Sequence, residues 1–153
     1  MSSYGNLQSE TKSLYLKVKE GKPVDIHILT KSDDVVHEFI HFTDDKKRIR
    51  CNQNATCAYC KDGDKSREMW RIAVYNWNER AVQVFDFGYG VFGGIKSIAQ
   101  MLEESGETIH QVDLRILATG SGKGTKYTVL QKPMKETLPL DLLIPKLEET
   151  VPF

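Results

Sequence analysis

The sequence predicts a mainly β protein with one helix. Three observations lead to this prediction: short runs alternate apolar and polar residues, one later stretch has apolar residues at helical spacing, and turn-forming residues separate the runs. The predicted order is several strands, one helix and two more strands. Because a five-stranded OB-type barrel carries its single helix after the third strand, we expect that barrel.

The first group of strands is predicted from Val24 onwards. Its runs are VDIHIL at 24–29, VVHEFIHF at 35–42 and KRIRC at 47–51. The turn TDDKK separates the last two runs, and its Asp44 and Asp45 are typical turn residues. We therefore expect a hairpin that leads the chain to Cys51, followed by a polar loop over 52–67.

The second group surrounds the helix. The runs MWRIAVYNW and AVQVFDFGYG are predicted strands that meet at a turn around Asn78 and Glu79. Apolar residues then recur at helical spacing from Val91 to Leu102, and Gly106 stands where such a helix would end. The runs VDLRILATG and KYTVLQ are the last predicted strands, joined by the glycine-rich turn GSGKG.

Length and charge indicate one domain. We expect an N-terminal arm at 1–20, an OB domain at 21–132 with a zinc subdomain at about 37–67, and an acidic tail at 133–153. The chain has 21 cations and 21 anions. The tail holds two of the cations and four of the anions, which leaves 19 cations against 17 anions in the body. This weak asymmetry favours a slightly basic body.

Other classes of protein are disfavoured. No apolar run approaches the roughly 18 residues of a membrane span, and the first residues lack the basic and apolar blocks of a secretory signal, so we expect a cytoplasmic protein, in the host cytoplasm if it is viral. No nucleophile–base pair or paired carboxylates indicate an enzyme. TGSGKGT is similar to a phosphate-binding P-loop, but Leu117 replaces its first glycine and a strand follows it, so nucleotide hydrolysis is not expected.

Three cysteines and a histidine predict a structural zinc site. Cys57 and Cys60 form a CxxC pair, Cys51 ends the hairpin, and His41 stands on the opposite strand. Zinc takes four such N and S ligands in a closed tetrahedral site. His37 is the alternative histidine ligand, and free buried cysteines are the alternative to metal binding.

The stretch from Val24 to Met101 resembles the helix-destabilising single-stranded-DNA-binding protein of T-even bacteriophages. The similarity lies in the VDIHIL strand, the histidine-bearing second strand, the ordered cysteines 51, 57 and 60, the aromatic strand from Trp70 to Trp77, and the passage VFDFGYGVFGGIKSIAQM. The resemblance implies an OB fold with zinc in an inserted hairpin, in a replication or recombination setting. The present chain is shorter, and its N-terminus lacks the basic arm used there for cooperative binding.

Stacking residues for single-stranded DNA are predicted mainly on the first aromatic strand. Ile72 and Val74 mark its core face, so Tyr75 and Trp77, with Arg71 beside them, are expected on the DNA-binding face. The other candidates are Phe87, Tyr89 and Tyr127 for stacking and Arg48, Arg50, Arg115, Lys123 and Lys126 for phosphates. For any single ring, core packing is an equal alternative, and any single cation could be a solvated surface charge.

The tail LEETVPF looks like the acidic tip of bacterial single-stranded-DNA-binding proteins, a docking signal for replication and repair proteins. Glu148, Glu149, Pro152 and Phe153 are the predicted partner-binding residues. As an alternative, the leucines and isoleucine of 138–144 could pack on the barrel or on a second subunit.

Taken together, the sequence predicts a phage-encoded protein that binds single-stranded DNA without sequence preference, in replication, recombination or repair. Two alternatives remain at this stage. One is a phage zinc protein that binds and regulates a host polymerase or nuclease, and the other is an RNA-binding OB module.

Overall fold

A computed structural model describes residues 14–42, 48–51, 67–120 and 125–147, with the backbone alone at residues 42 and 48–51. Seven strands and one α-helix lie within these ranges. They are β1 (Val24–Ile28), β2 (Val36–Phe42), β3 (Arg48–Cys51), β4 (Arg67–Asn76), β5 (Ala81–Phe87), α1 (Tyr89–Glu104), β6 (Val112–Thr119) and β7 (Lys126–Pro133). The mainly β class with one helix is therefore confirmed.

All the strands pair antiparallel in one sheet, whose main path is β3-β2-β4-β1-β6-β7. The long strand β4 organises it. One edge of β4 pairs along its length with β5, so that Trp70 faces Phe87 and Asn76 faces Ala81. Its other edge is shared by β2, which pairs with the first half, and β1, which pairs with the second half.

The sheet is open where a barrel would close. Among the described residues, no ladder joins β5 to β7. Instead the segment 14–16 lies on the free edge of β5, where the amides of Leu16 and Val84 donate to Val84 and Leu14 at 2.8 and 2.7 Å. The predicted arm at 1–20 is therefore too long, because its last residues belong to the fold.

Helix α1 packs against β7 across this opening. A Cβ at Gly94 would lie 2.8 Å from Cβ of Val129, so only glycine allows the helix backbone to approach this closely. The helix buries Val91, Ile98 and Leu102, which recur at helical spacing. No helix in the described part of the chain has the length and apolar character to cross a membrane.

The end of α1 is fixed by its sequence. Gly106 has φ 77°, the left-handed conformation that favours glycine. Its amide donates to the carbonyl of Glu103, and the amide of Glu107 donates to the carbonyl of Leu102. This is the Schellman arrangement, and it confirms the helix end predicted at Gly106.

The core lies between the inner face of the sheet and α1. Trp70, Ile72 and Val74 of β4 belong to it, together with apolar residues of the other strands and the helix. A smaller cluster lies on the outer face, where Ala73 and Val84 pack against Leu147. The tail therefore returns to cover part of the outer face.

The tail is attached at its beginning as well. The amide of Lys135 donates to Asp113 at 2.7 Å, and the other oxygen of this carboxylate lies 2.9 Å from Nδ1 of His27. Glu136 accepts a hydrogen bond from Arg80 at 2.8 Å. The tail thus contacts the body at Lys135, Glu136 and Leu147, whereas Leu140, Leu143 and Ile144 of the apolar group that could have packed on the barrel are exposed.

Candidate nucleic-acid interface

The outer face of β4 is not the exposed stacking surface that the alternation pattern predicted. Arg71, Tyr75 and Trp77 are only 3%, 3% and 2% exposed. The rings of Tyr75 and Trp77 contact each other edge to face at 4.8 Å. The prediction for these three residues is wrong because this face is buried: the Tyr15 ring lies over Arg71, and Leu147 packs on the neighbouring Ala73 and Val84.

Arg71 is committed to an ion pair inside this covered face. Its Nε and Nη2 donate to the two carboxylate oxygens of Asp86 at 2.6 and 2.8 Å. The hydrogen bonds from Asp86 raise the pKa of Arg71. The guanidinium also lies 5.9 Å from the centre of the Tyr15 ring. A buried, paired guanidinium is not available to a phosphate.

Phe87 is a fourth predicted contact that is buried, here in the core on the inner face. It is 6% exposed and packs against Phe85 and Trp70. Since Phe87 pairs with Trp70 across the ladder, its ring shares the inner face of the sheet. The predicted stacking role of Phe87 is therefore wrong.

The remaining predicted contacts have mixed positions. Tyr89 is 72% exposed and Tyr127 is 42% exposed, and Lys126 is exposed beside Tyr127. Arg115 donates to both oxygens of Asp25 at 2.7 and 3.1 Å, and this pairing raises the pKa of Arg115. The side chains of Arg48 and Arg50, and all of Lys123, lie outside the described residues.

An aromatic group that the sequence did not predict as a unit lies where β2, β4 and the start of α1 meet. We call His37, Phe39, Trp70, Tyr89 and Phe92 the aromatic cluster. Trp70 stacks on Phe92 at 4.0 Å with their planes 2° apart, and on His37 at 5.0 Å with planes 19° apart. Phe39 contacts His37 at 5.1 Å, and Tyr89 contacts Phe92 at 6.0 Å.

The cluster is open to solvent on the side of Tyr89 and His37. Trp70 is the buried centre at 7% exposure, whereas the side chain of His37 is 41% exposed and its Nε2 lies 3.1 Å from Glu68. Tyr127 lies nearby, since a Cβ on Gly90 would be 3.9 Å from its ring. The strand register brings these side chains together, since His37 is opposite Trp70.

Cations accompany these rings. Nζ of Lys96 lies 5.8 Å from the centre of the Phe92 ring, one turn further along α1. Arg67, at the start of β4, is exposed, as is Lys126 at the start of β7. Rings with exposed faces and neighbouring cations are the elements of a surface that stacks bases and contacts phosphates.

The predicted metal ligands are only partly described. His41 is fully buried, and the hairpin register sets Phe39 opposite Cys51 and His41 opposite Ile49. The backbone of Cys51 is thus two positions from the partner of His41. Cys57 and Cys60 lie outside the described residues, within which no group of three possible ligands occurs. The zinc site stays a prediction.

The predicted partner-binding residues Glu148, Glu149, Pro152 and Phe153 also lie outside the described part of the chain. The chain matches no protein-family model, and no curated protein is significantly similar to it. The function must therefore be argued from the site itself.

Proposed function

We propose that this chain binds single-stranded DNA without sequence preference, with the bases stacking on the aromatic cluster. The observation that carries the proposal is the stack of rings at the meeting of β2, β4 and α1, of which Tyr89 and His37 are accessible and Lys96 is the neighbouring cation. Every base has a flat π-face, so such a surface binds DNA with little regard to its sequence.

The strand order supports an OB-type barrel as the scaffold. The strands β1, β4, β5, β6 and β7 follow the chain order of the five OB strands, and their spatial order is β5-β4-β1-β6-β7. The single helix α1 stands between the third and fourth of these strands, as in that fold. Pairing of β5 with β7 would close the barrel. We propose that the segment 14–16 and α1 occupy that opening instead.

The loops beside the cluster also fit the binding side of OB folds, while Trp70, the cluster residue on the second OB strand, lies on the inner face. These proteins bind oligonucleotides with the second and third strands and with the loops between strands one and two and between strands four and five. The hairpin of β2 and β3 lies in the first of these loops and supplies His37 and Phe39. The connection from β6 to β7 corresponds to the second loop, and it leads to Lys126 and Tyr127.

The start of α1 suits phosphate. Its N-cap is Gly88, and within the described chain neither a side-chain cap nor an acidic residue occupies the first turn. The first amides of a helix point outward and carry partial positive charge. A strand whose bases stack on Tyr89 and Phe92 would bring its phosphates to these amides and to Lys96.

We also propose that zinc, held by His41, Cys51, Cys57 and Cys60, fixes the hairpin that presents His37 and Phe39. The full burial of the His41 imidazole, close in register to Cys51, supports this ligand set. When bound, zinc would be structural, closing the hairpin with four protein ligands. Elemental analysis of protein purified without added metal should give about one zinc per chain. A folded protein free of metal would contradict the proposal.

The terminal residues Glu148, Glu149, Pro152 and Phe153 are proposed to dock replication or repair proteins. Their acidic and aromatic chemistry suits a basic-rimmed apolar pocket. Because Leu147 directly before them packs on the outer face of the sheet, this role would be restricted to the last residues. Removing residues 148–153 should leave DNA affinity unchanged or slightly higher at low salt.

Titration of a fluorescein-labelled oligo-dT, followed by anisotropy, tests the proposed function. We expect saturable binding whose log affinity falls linearly with log salt, by about 0.7 for each phosphate neutralised. An RNA oligomer of equal length and sequence should bind more weakly. Absence of binding at low salt would favour a regulator of a polymerase or nuclease, and tighter binding of RNA would favour an RNA module.

A further inference from the structure

A cavity of about 270 Å³ lies between α1 and the inner face of the sheet. Protein interiors are otherwise close-packed, with few voids larger than one water molecule. The volume approaches the lower end of small-molecule sites, which is roughly 300 Å³. The space is therefore large enough for a small ring system, and it shares Trp70 and Phe92 with the aromatic cluster.

One end of the cavity is aromatic. Trp70, Phe87 and Phe92 line it, and aliphatic residues such as Ile72 and Ile95 continue the wall. The planes of Phe87 and Phe92 lie within 14° and 2° of the plane of Trp70. Apolar cavities hold water poorly and accept apolar rings. Because Trp70 and Phe92 stack on each other at 4.0 Å, a ligand ring would pack beside these rings and against the aliphatic wall, not between them.

The other end is polar and fixed in place. Nε2 of His110 donates to the carbonyl of Thr30 at 2.8 Å, and Oγ1 of Thr30 accepts from the amide of Ala73 at 2.7 Å. Thr108, which also lines the cavity, is held by a capping box with Gln111. These bonds tie the rim to the sheet, so the site exists before a ligand arrives and little ordering is needed for binding.

The charge at the rim selects among ligands. Glu103 lines the cavity from the last turn of α1, where the helix carries partial negative charge. Within the described chain, no lysine or arginine lines this cavity. An anion would be repelled at this end, whereas a neutral or cationic group would be tolerated or attracted.

We propose that this cavity binds a small aromatic molecule that is neutral or cationic, with its ring against Trp70 and Phe92 and its polar group at the rim beside Glu103. The inference goes beyond the proposed function, because nucleotides, which carry phosphate, are excluded by the same charge. It stands on the cavity alone, so its failure would leave the binding of oligo-dT untouched.

Isothermal titration with three indole compounds tests the charge selection in the full chain. Tryptamine is a cation, indole is neutral and indole-3-acetate is an anion, while all three share one ring. We expect saturable binding of the first two, with dissociation constants on the order of 0.1–1 mM, and binding of indole-3-acetate that is weaker by about three- to tenfold. Glu103→Gln should remove most of this difference. Equal binding of the three compounds by the unsubstituted chain would overturn the assignment.

Two helix variants test the place of binding. Ala99 lines the cavity, so Ala99→Leu should fill it and weaken indole binding by at least about tenfold, while thermal unfolding shows that the fold is kept. Met101 is 60% exposed on the same helix, so Met101→Leu should bind indole like the unsubstituted chain. Undiminished binding by Ala99→Leu, or no saturable binding by the unsubstituted chain, would contradict the proposal.

Discussion

The outer face of β4 and the aromatic cluster carry similar side chains in very different surroundings. The outer face has Arg71, Tyr75 and Trp77, each at most 3% exposed, whereas Tyr89 in the cluster is 72% exposed. The difference comes from distant parts of the chain, since the Tyr15 ring lies over Arg71 and Leu147 packs on the outer face at Ala73 and Val84. Alternation along a strand separates two faces, but the covering segments decide which face meets the solvent.

We therefore expect the covered outer face of β4 to stabilise the fold and the aromatic cluster to bind DNA. Removing a side chain from the covered face should cost folding free energy and leave DNA contacts intact. Removing an exposed ring or cation from the cluster should have the opposite effect. Substitutions in either region therefore test this difference.

The largest effect is expected at Trp77. Trp77→Ala should lower the free energy of unfolding by about 3–5 kcal/mol, since it removes a side chain that is only 2% exposed and leaves a cavity. Urea denaturation followed by circular dichroism measures this loss. The affinity of the folded fraction for oligo-dT should not change. A stable Trp77→Ala protein with weakened DNA binding would reverse the assignment.

A similar but somewhat smaller loss is expected when the buried ion pair is broken. Asp86→Asn leaves the Arg71 guanidinium, 3% exposed, without its carboxylate, which should cost about 3 kcal/mol in urea denaturation. Replacing both partners, Arg71→Met with Asp86→Leu, should recover most of it. An Asp86→Asn protein as stable as the unsubstituted chain would mean that solvent reaches the Arg71 guanidinium on the outer face.

In the aromatic cluster the effect should fall on binding. Tyr89→Ala should weaken oligo-dT binding by about 1–3 kcal/mol, the loss of one stacked base, and should change the free energy of unfolding by less than about 0.5 kcal/mol. Met101→Ala, exposed on the same helix, is the matched control and should change neither quantity. An unchanged affinity of Tyr89→Ala in the anisotropy titration would remove this ring from the interface.

Removing a cation beside the aromatic cluster should change the salt dependence of DNA binding more than the affinity. Lys96→Ala should reduce the slope of log affinity against log salt by about 0.7, because one phosphate contact is lost. Lys146→Ala, exposed in the tail, should keep the slope. A lower slope in the tail variant alone would place the DNA on the other side of the molecule.

The smallest effect belongs to a surface ion pair outside both regions. Hydrogen bonds from Arg115 lower the pKa of Asp25, so this pair stabilises the fold above the unfolded pKa of Asp25 and loses that contribution as pH falls through the folded value. Because Asp25 is partly exposed, the loss below pH 4 should be less than about 1 kcal/mol. Asp25→Asn should flatten the acid limb of the stability profile by that amount. An unchanged acid limb would mean that the pair contributes nothing.

Much of the fold could be predicted from local pattern. The strands, the helix and its end at Gly106 follow from alternation, helical spacing and a glycine that the left-handed turn requires. The covering of β4 could not be predicted, because Tyr15 and Leu147 lie far away in sequence and have no periodic neighbours. The pairing of His37 with Trp70 depends on the register between two strands that are distant in sequence, so the cluster could not be predicted either.

The two tryptophans of the chain lie one in each region, Trp70 in the cluster and Trp77 on the covered face. Tryptophan emission during oligo-dT titration therefore shows which of the two regions contacts the DNA. Trp77→Phe should fold well, since Nε1 of Trp77 makes no hydrogen bond within the described chain, and the emission of its remaining Trp70 should change when bases stack on the neighbouring Tyr89 and His37. Trp70→Phe should bind DNA with little quenching of Trp77. Quenching in Trp70→Phe, without a change of emission in Trp77→Phe, would show that the DNA contacts the outer face of β4 instead.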